Sequence, residues 1–141
     1  MDERYPIGET ESIAVAVLRH TEGDGYRRWS VSIGRRGGEG TVHVPGQYPG
    51  VLANRLRAAD ARFAPGARLG RDEYLDLTAL VRDGEESLAL SSSARSPARV
   101  TLEVPRDDLL LLSMLLDSAQ QLIEELRQGL GIVPDAVPET F

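Results

Sequence analysis

Apolar and polar residues alternate along several short stretches of this chain and then change to a helical spacing, and the change happens twice. In the first pass Ile13, Val15 and Val17, then Trp29, Val31 and Ile33, then Val42 and Val44 fall at every second position, the spacing of a strand with one buried face. Pro45 stops the third stretch. Leu52, Leu56, Ala59 and Phe63 follow at steps of three and four, which is one face of a helix. In the second pass Leu75, Leu77, Ala79 and Val81, then Leu88 and Leu90, then Val100, Leu102 and Val104 alternate up to Pro105. A longer helical run begins there.

The two passes align in letters as well as in period. Val42-His43-Val44-Pro45 and the helix after it match Leu102-Glu103-Val104-Pro105 and its helix without a gap, and Ala16-Val17-Leu18-Arg19 is matched with Ala79-Leu80-Val81-Arg82. Turn residues punctuate each pass: Glu22 to Gly25 and Asp83-Gly84 after the first strand, Gly37 to Gly40 and Ser96-Pro97 after the second. Ala64 to Gly70 reads as a Pro/Gly linker between the copies. The predicted fold is α+β within a single domain, 1–141: two βββα repeats over about 10–63 and 72–130, antiparallel sheets with helices on one side, a long C-terminal leucine-rich helix, and an extended or disordered tail over 131–141.

The last helix has Pro105 at its entrance and Asp107 and Asp108 in its first turn, where the helix dipole favours carboxylates. Leu109, Leu112, Leu116, Ala119, Ile123, Leu126 and Leu130 then recur at alternating steps of three and four, a heptad seam. Leu111, Leu115 and Leu122 form a second stripe. One sheet covers about one stripe, so the surplus needs either the first helix or the same helix of a second subunit. The short, arginine-bearing first helix favours the second choice, a homodimer joined through Leu109, Leu112, Leu116, Ala119, Ile123 and Leu126.

Composition narrows the function classes. The chain has no cysteine, so disulfides and thiolate chemistry are excluded, which fits a reducing cytoplasm. The N-terminus is charged with no apolar export signal after it, and the longest apolar run is too short to span a bilayer. A cytoplasmic protein without a membrane role is expected. The net charge of −6 hides an asymmetry: residues 1–70 hold ten arginines and eight acids, residues 71–141 six arginines and 14 acids. The alternation gives the first copy an open face of Ala14, Ala16, Tyr26, Arg28, Ser30, Ser32, Arg36, Thr41 and His43. That of the second, with Tyr74, Asp76, Thr78, Ser87, Ser91, Thr101 and Glu103, is small and acidic. The acidic half is a candidate surface for a protein partner.

One cluster points to chemistry. Tyr26-Arg27-Arg28-Trp29 to Gly34-Arg35-Arg36-Gly37-Gly38 puts four arginines, two aromatic rings and no acid into one hairpin, a composition suited to single-stranded nucleic acid, with guanidinium groups for phosphates and ring faces for bases. The glycine-rich turn lacks the Lys-Ser/Thr pair and the helix of a nucleotide loop. His20 and His43 have no partner at metal-ligand spacing, and no nucleophile, acid and base come together as a catalytic set. No metal, no cofactor and no enzymatic activity are expected.

Two strand-to-helix junctions carry a family resemblance: Thr41-Val42-His43-Val44 followed by the helix at Val51, and Arg99-Val100-Thr101-Leu102-Glu103-Val104 followed by Pro105-Arg106-Asp107-Asp108-Leu109-Leu110. The chain resembles the Pur-alpha repeat family and the wider Whirly-like single-stranded nucleic-acid binders, in topology more than in letters. That resemblance implies nucleic acid bound across the open sheet face, at Tyr26, Arg28, Ser30, Ser32, Arg36 and His43. These families place four strands before each helix and basic faces on both sheets, whereas the alternation here shows three strands and one basic face. The tail, with acidic residues, a proline and a final Phe141, is similar to the partner-docking tail of bacterial single-stranded-DNA-binding proteins. The expected function is single-stranded DNA or RNA binding through Tyr26, Arg27, Arg28, Ser30, Ser32, Arg35, Arg36 and His43. The alternative is a protein-interaction, scaffolding or regulatory subunit assembled through the leucine-rich helix.

Overall fold

The computed structural model describes residues 2–21, 27–38, 40–92 and 100–129. Tyr26, the Ser96-Pro97 turn, Leu130 and the 131–141 tail lie outside them. Each half is a four-stranded antiparallel sheet followed by a helix. The first sheet has the order β1 (Asp2–Glu9), β2 (Ile13–Thr21), β3 (Arg27–Arg35), β4 (Thr41–Pro45), and α1 (Pro49–Ala61) follows. The second has β5 (Arg68–Arg71), β6 (Leu75–Arg82), β7 (Glu85–Ser92) and β8 (Thr101–Pro105), then a 3-10 turn at Arg106–Asp108 and α2 (Leu109–Gly129). The α+β class holds. Each half has four strands, however, where alternation gave three.

The added strands, β1 and β5, are edge strands, held mainly by backbone hydrogen bonds to one neighbour. In β1 only Tyr5 and Ile7 lean on the core, and the register slips between Pro6 and Gly8; a proline and a bulge also discourage pairing with another chain. β5 takes up Arg68, Leu69 and Gly70 from the expected linker, so the connection after α1 is shorter than the Ala64 to Gly70 reading.

Strand pairing places Val17, Val31 and Val44 in one buried row and Val15, Ile33 and Val42 in the next. Leu77–Leu90–Leu102 and Ala79–Leu88–Val104 repeat the arrangement in the second sheet. The turns entering β2 and β6 set the equivalence of the halves. The Thr10 hydroxyl accepts hydrogen bonds from the Ser12 and Ile13 amides, and the Asp72 carboxylate accepts them from Tyr74 and Leu75. Thr10 therefore corresponds to Asp72, and Val17 to Ala79. The alignment of Ala16 with Ala79 is one residue out, because two apolar residues adjacent along a strand face opposite ways. Val81, expected in the core, is 42% exposed at the β6–β7 turn. Asp83 and Gly84 make that turn with φ of 51° and 81°, as a two-residue hairpin requires.

The helices cross between halves. α2 packs on β1 and β2 of the first sheet, with Leu115 against Gly8, and on α1. Its preceding turn is fastened to the first half by Asp108, which accepts hydrogen bonds from Ser12 (2.6 Å) and Thr10 (3.0 Å). The start of α1 is fastened to the second half in the same way: Tyr48 donates to Asp72 at 2.5 Å, and Arg55 reaches both groups. One core results, drawn from both sheets and both helices.

This arrangement corrects the expected dimer seam. Leu109, Leu112, Leu116, Ala119 and Ile123 are fully buried inside a single chain, and Leu126 is half-buried against the same core. A helix that covers a sheet and a second helix needs more than one apolar stripe. The side chains left on the surface are Leu110, Leu111 and Met114, with Val51 on α1.

Candidate nucleic-acid interface

The face of the first sheet turned away from α2 is built from the alternate residues of β1 to β4. Pairing sets Ala16, Ser32 and His43 in one row, Leu18, Ser30 and Pro45 in the next, and His20 opposite Arg28 beyond them. Arg4 pairs with Leu18 and Pro6 with Ala16 from β1. Arg4, Arg28 and His43 are exposed, and Ser30 and His20 are half-buried, with Ser30 Oγ 3.4 Å from His20 Nε2. In the centre Ala16 is 0% and Ser32 5% exposed. Ser32, expected to meet a ligand, is thus almost wholly buried.

The structure separates residues that the sequence grouped. Arg28, Ser30, Ser32 and His43 share this face. Arg27 opens β3, opposite Thr21. Tyr26 lies outside the described residues. Arg36 is engaged elsewhere: its Nε meets Glu9 at 2.8 Å, and its Nη1 donates to the Thr10 and Glu11 carbonyls, so it pins the β1–β2 turn. Arg35 turns toward the second sheet and lines a cavity of about 430 Å³ with Arg82, Asp83, Glu85, Ser87, Glu103 and Pro105. Trp29 supplies no ring to the face, being fully buried with Tyr5 at 6.5 Å and Arg19 at 5.7 Å from its ring. Arg19 in turn is paired with Glu3, which also accepts from the Tyr5 hydroxyl.

Two residues join the site that sequence reasoning left out. Arg4 belongs to the unrecognised strand β1, and the Tyr5/Ile7 alternation beside it was the available signal. His20 has no metal-ligand partner in sequence, yet it acts electrostatically on His43: burial first, and then the charge of His20, hold the His43 imidazole below its ordinary value. Away from the Glu9–Arg36 pair at one end, the described side chains of this face are basic or neutral.

The open face of the second sheet differs in charge. On it Arg82 pairs with Glu103 at 3.2 Å, whereas Arg106, paired with Glu86 at 3.1 Å and with Asp60 of α1 at 3.0 Å, lies on the helix side. The sheet's edge strand β5 also brings Arg68 opposite Thr78 and Arg71 opposite Asp76. Among the described residues no group of three His, Asp or Glu side chains could hold a metal ion, and no helix is long and apolar enough to cross a membrane. No protein-family model matches the chain, and no curated protein is similar to it.

Proposed function

We propose that this protein is a non-enzymatic, cytoplasmic module that binds single-stranded DNA or RNA across the open face of its first sheet. The observation that carries this reading is the meeting of Arg4, Arg28, His20 and His43 on one sheet face. Exposed cationic groups on one sheet face can meet a phosphate backbone while its bases remain free to stack. The repeated ββββα order supports the same reading, since it is the element order of the Pur-alpha and Whirly-like families that the chain resembles. Arg4 and Arg28 serve phosphates, and Tyr26 is the candidate stacking ring. Arg36 is left to the fold.

Fluorescence anisotropy of a labelled single-stranded oligonucleotide, titrated at several salt concentrations with duplex as competitor, tests this. Binding that prefers single strands and weakens with salt is expected. Changing Arg4 and Arg28 to Glu should weaken it and lower the slope of log K against log salt by about 0.7 for each phosphate no longer neutralised. Absence of binding at low salt, or an unchanged slope in R4E/R28E, overturns the reading.

The exposed turn of Leu110, Leu111 and Met114, 55%, 42% and 62% exposed, favours a second reading as a protein-interaction subunit. Under it, Met114→Asp abolishes partner binding and leaves oligonucleotide titrations silent in both forms.

A further inference from the structure

His20 and His43 reach the same cationic face from β2 and β4, on either side of β3. In register His20 stands opposite Arg28 on β3 and opposite Asp2 on β1, with Ser30 at 3.4 Å. Glu22 and Asp24 follow it in sequence, outside the described residues. His43 stands opposite Ser32 on β3, between Thr41 and Pro45 of its own strand. On β8, which adjoins β4, Glu103 is held by Arg82. The groups acting on the His43 ring are the surrounding protein, which strips water from it, and the charge of His20. Both influences disfavour its cation at neutral pH.

We propose that His20 and His43 make this face a pH-responsive nucleic-acid site, in which proton uptake by the two imidazoles adds two charges beside Arg4 and Arg28 and tightens the hold on phosphates as pH falls. The inference rests on the single-stranded nucleic-acid reading above. A phosphate next to either ring supplies the counter-charge that the free face lacks for His43, so binding and protonation support each other.

The test measures the salt dependence of binding to a labelled oligothymidylate at pH 7.5 and pH 5.5, for the native chain and for His20→Gln/His43→Gln, the readout being the change of slope between the two pH values within each protein. In the native chain the slope of log K against log salt should steepen by up to about 1.4 on acidification, two further phosphates neutralised at roughly 0.7 each. The double variant should show little change. NMR titration of the imidazole resonances, with and without oligonucleotide, adds a second readout: both rings should titrate at higher pH in the complex. If native and variant slopes change equally, or oligonucleotide leaves the imidazole titrations unmoved, the histidine inference fails while the binding face stands. If neither protein binds at either pH, the nucleic-acid reading fails and this inference with it. Circular dichroism of the variant at both pH values verifies its fold, and the single variant His43→Gln, expected to remove about half the slope change, replaces the double if that does not fold.

Discussion

Arg57 and Asp117 occupy the same position in their respective helices, 60 residues apart, and hold each other at 2.9 Å. Equivalent residues of two copies can meet only near the axis that relates them, so this pair marks an approximate two-fold axis between α1 and α2. Contacts around it come in related versions. Gln120 bonds the Gly46 carbonyl and the Gly50 amide, and Asp60, its equivalent, receives Arg106, the equivalent of Gly46. Likewise Tyr48 donates to Asp72, whereas Asp108 accepts from Thr10, with donor and acceptor exchanged between halves.

The Arg57–Asp117 pair should contribute little to stability for all its central place. Its side chains are 39% and 50% exposed, and exposed ion pairs are worth roughly 0.2–1 kcal/mol. A double-mutant cycle with Arg57→Ala and Asp117→Ala, followed by urea unfolding, should give a coupling in that range. Values well above it would place the axis in a drier setting than the structure shows.

Because α2 covers the first sheet and the Tyr48/Arg55 group fastens α1 to the second half, neither half should fold alone. Fragments 1–65 and 66–141, expressed separately, should each lack cooperative thermal unfolding and recover it on equimolar mixing. A cooperative transition in the first fragment by itself would show that α2 is dispensable to its sheet.

Leu116 is fully buried in one chain. Leu116→Ala should therefore destabilise the protein by about 2–5 kcal/mol, the usual cost of such a truncation in a core, and leave the oligomeric state at native concentration unchanged. Denaturant unfolding and light scattering read the two effects separately. A change of oligomer size without loss of stability would restore the seam as an interface.

How much could be read in advance follows from which forces leave a mark in the letters. Six strands and both helices announced themselves because burial of one face imposes a period, as in Val15/Val17 and Leu109/Leu112/Leu116. β1 and β5 did not, because an edge strand is held by backbone groups that every residue carries, and Arg68 to Arg71 has one half-buried apolar side chain. The period of α2 was legible and its partner was not, since a stripe does not say whether the surface it meets belongs to the same chain. At the candidate site, parity along strands placed Arg28, Ser30, Ser32 and His43 together. Arg35 has the parity of Val31 and Ile33 and so belongs to the opposite face, as alternation itself requires, whereas the removal of Arg36 to the Glu9 turn depends on how the chain leaves the sheet's end, where alternation no longer applies.

Asp72 gives the fold an acid-sensitive joint. Burial works against its ionised form, but hydrogen bonds from Tyr48 and from the Leu75 and Tyr74 amides, with the charge of Arg55, outweigh it and hold the carboxyl below the usual range. A group depressed in the folded state stabilises it above the unfolded pKa and loses that contribution as pH falls through the folded value. Stability should thus decline below about pH 4, the ordinary carboxylate range, more steeply in the native chain than in Asp72→Asn. Urea midpoints between pH 3 and pH 7 measure this, and parallel curves for the two proteins would remove Asp72 from the account.

Arg28 and Arg36 should part company when each is changed to Ala. Arg36 holds Glu9 and two turn carbonyls with a side chain 49% exposed, so its loss should lower stability by roughly 0.2–1 kcal/mol and leave the salt slope of oligonucleotide binding in place. Arg28 stands on the open face of the first sheet, and if that face is the proposed binding site its loss should reduce the slope by about 0.7. The two variants, measured side by side in anisotropy and in urea, discriminate a sheet-face site from a hairpin-tip site. Should Arg36→Ala lower the slope as much as Arg28→Ala, phosphates pass over the β3–β4 turn, and the binding surface extends from the sheet to its end.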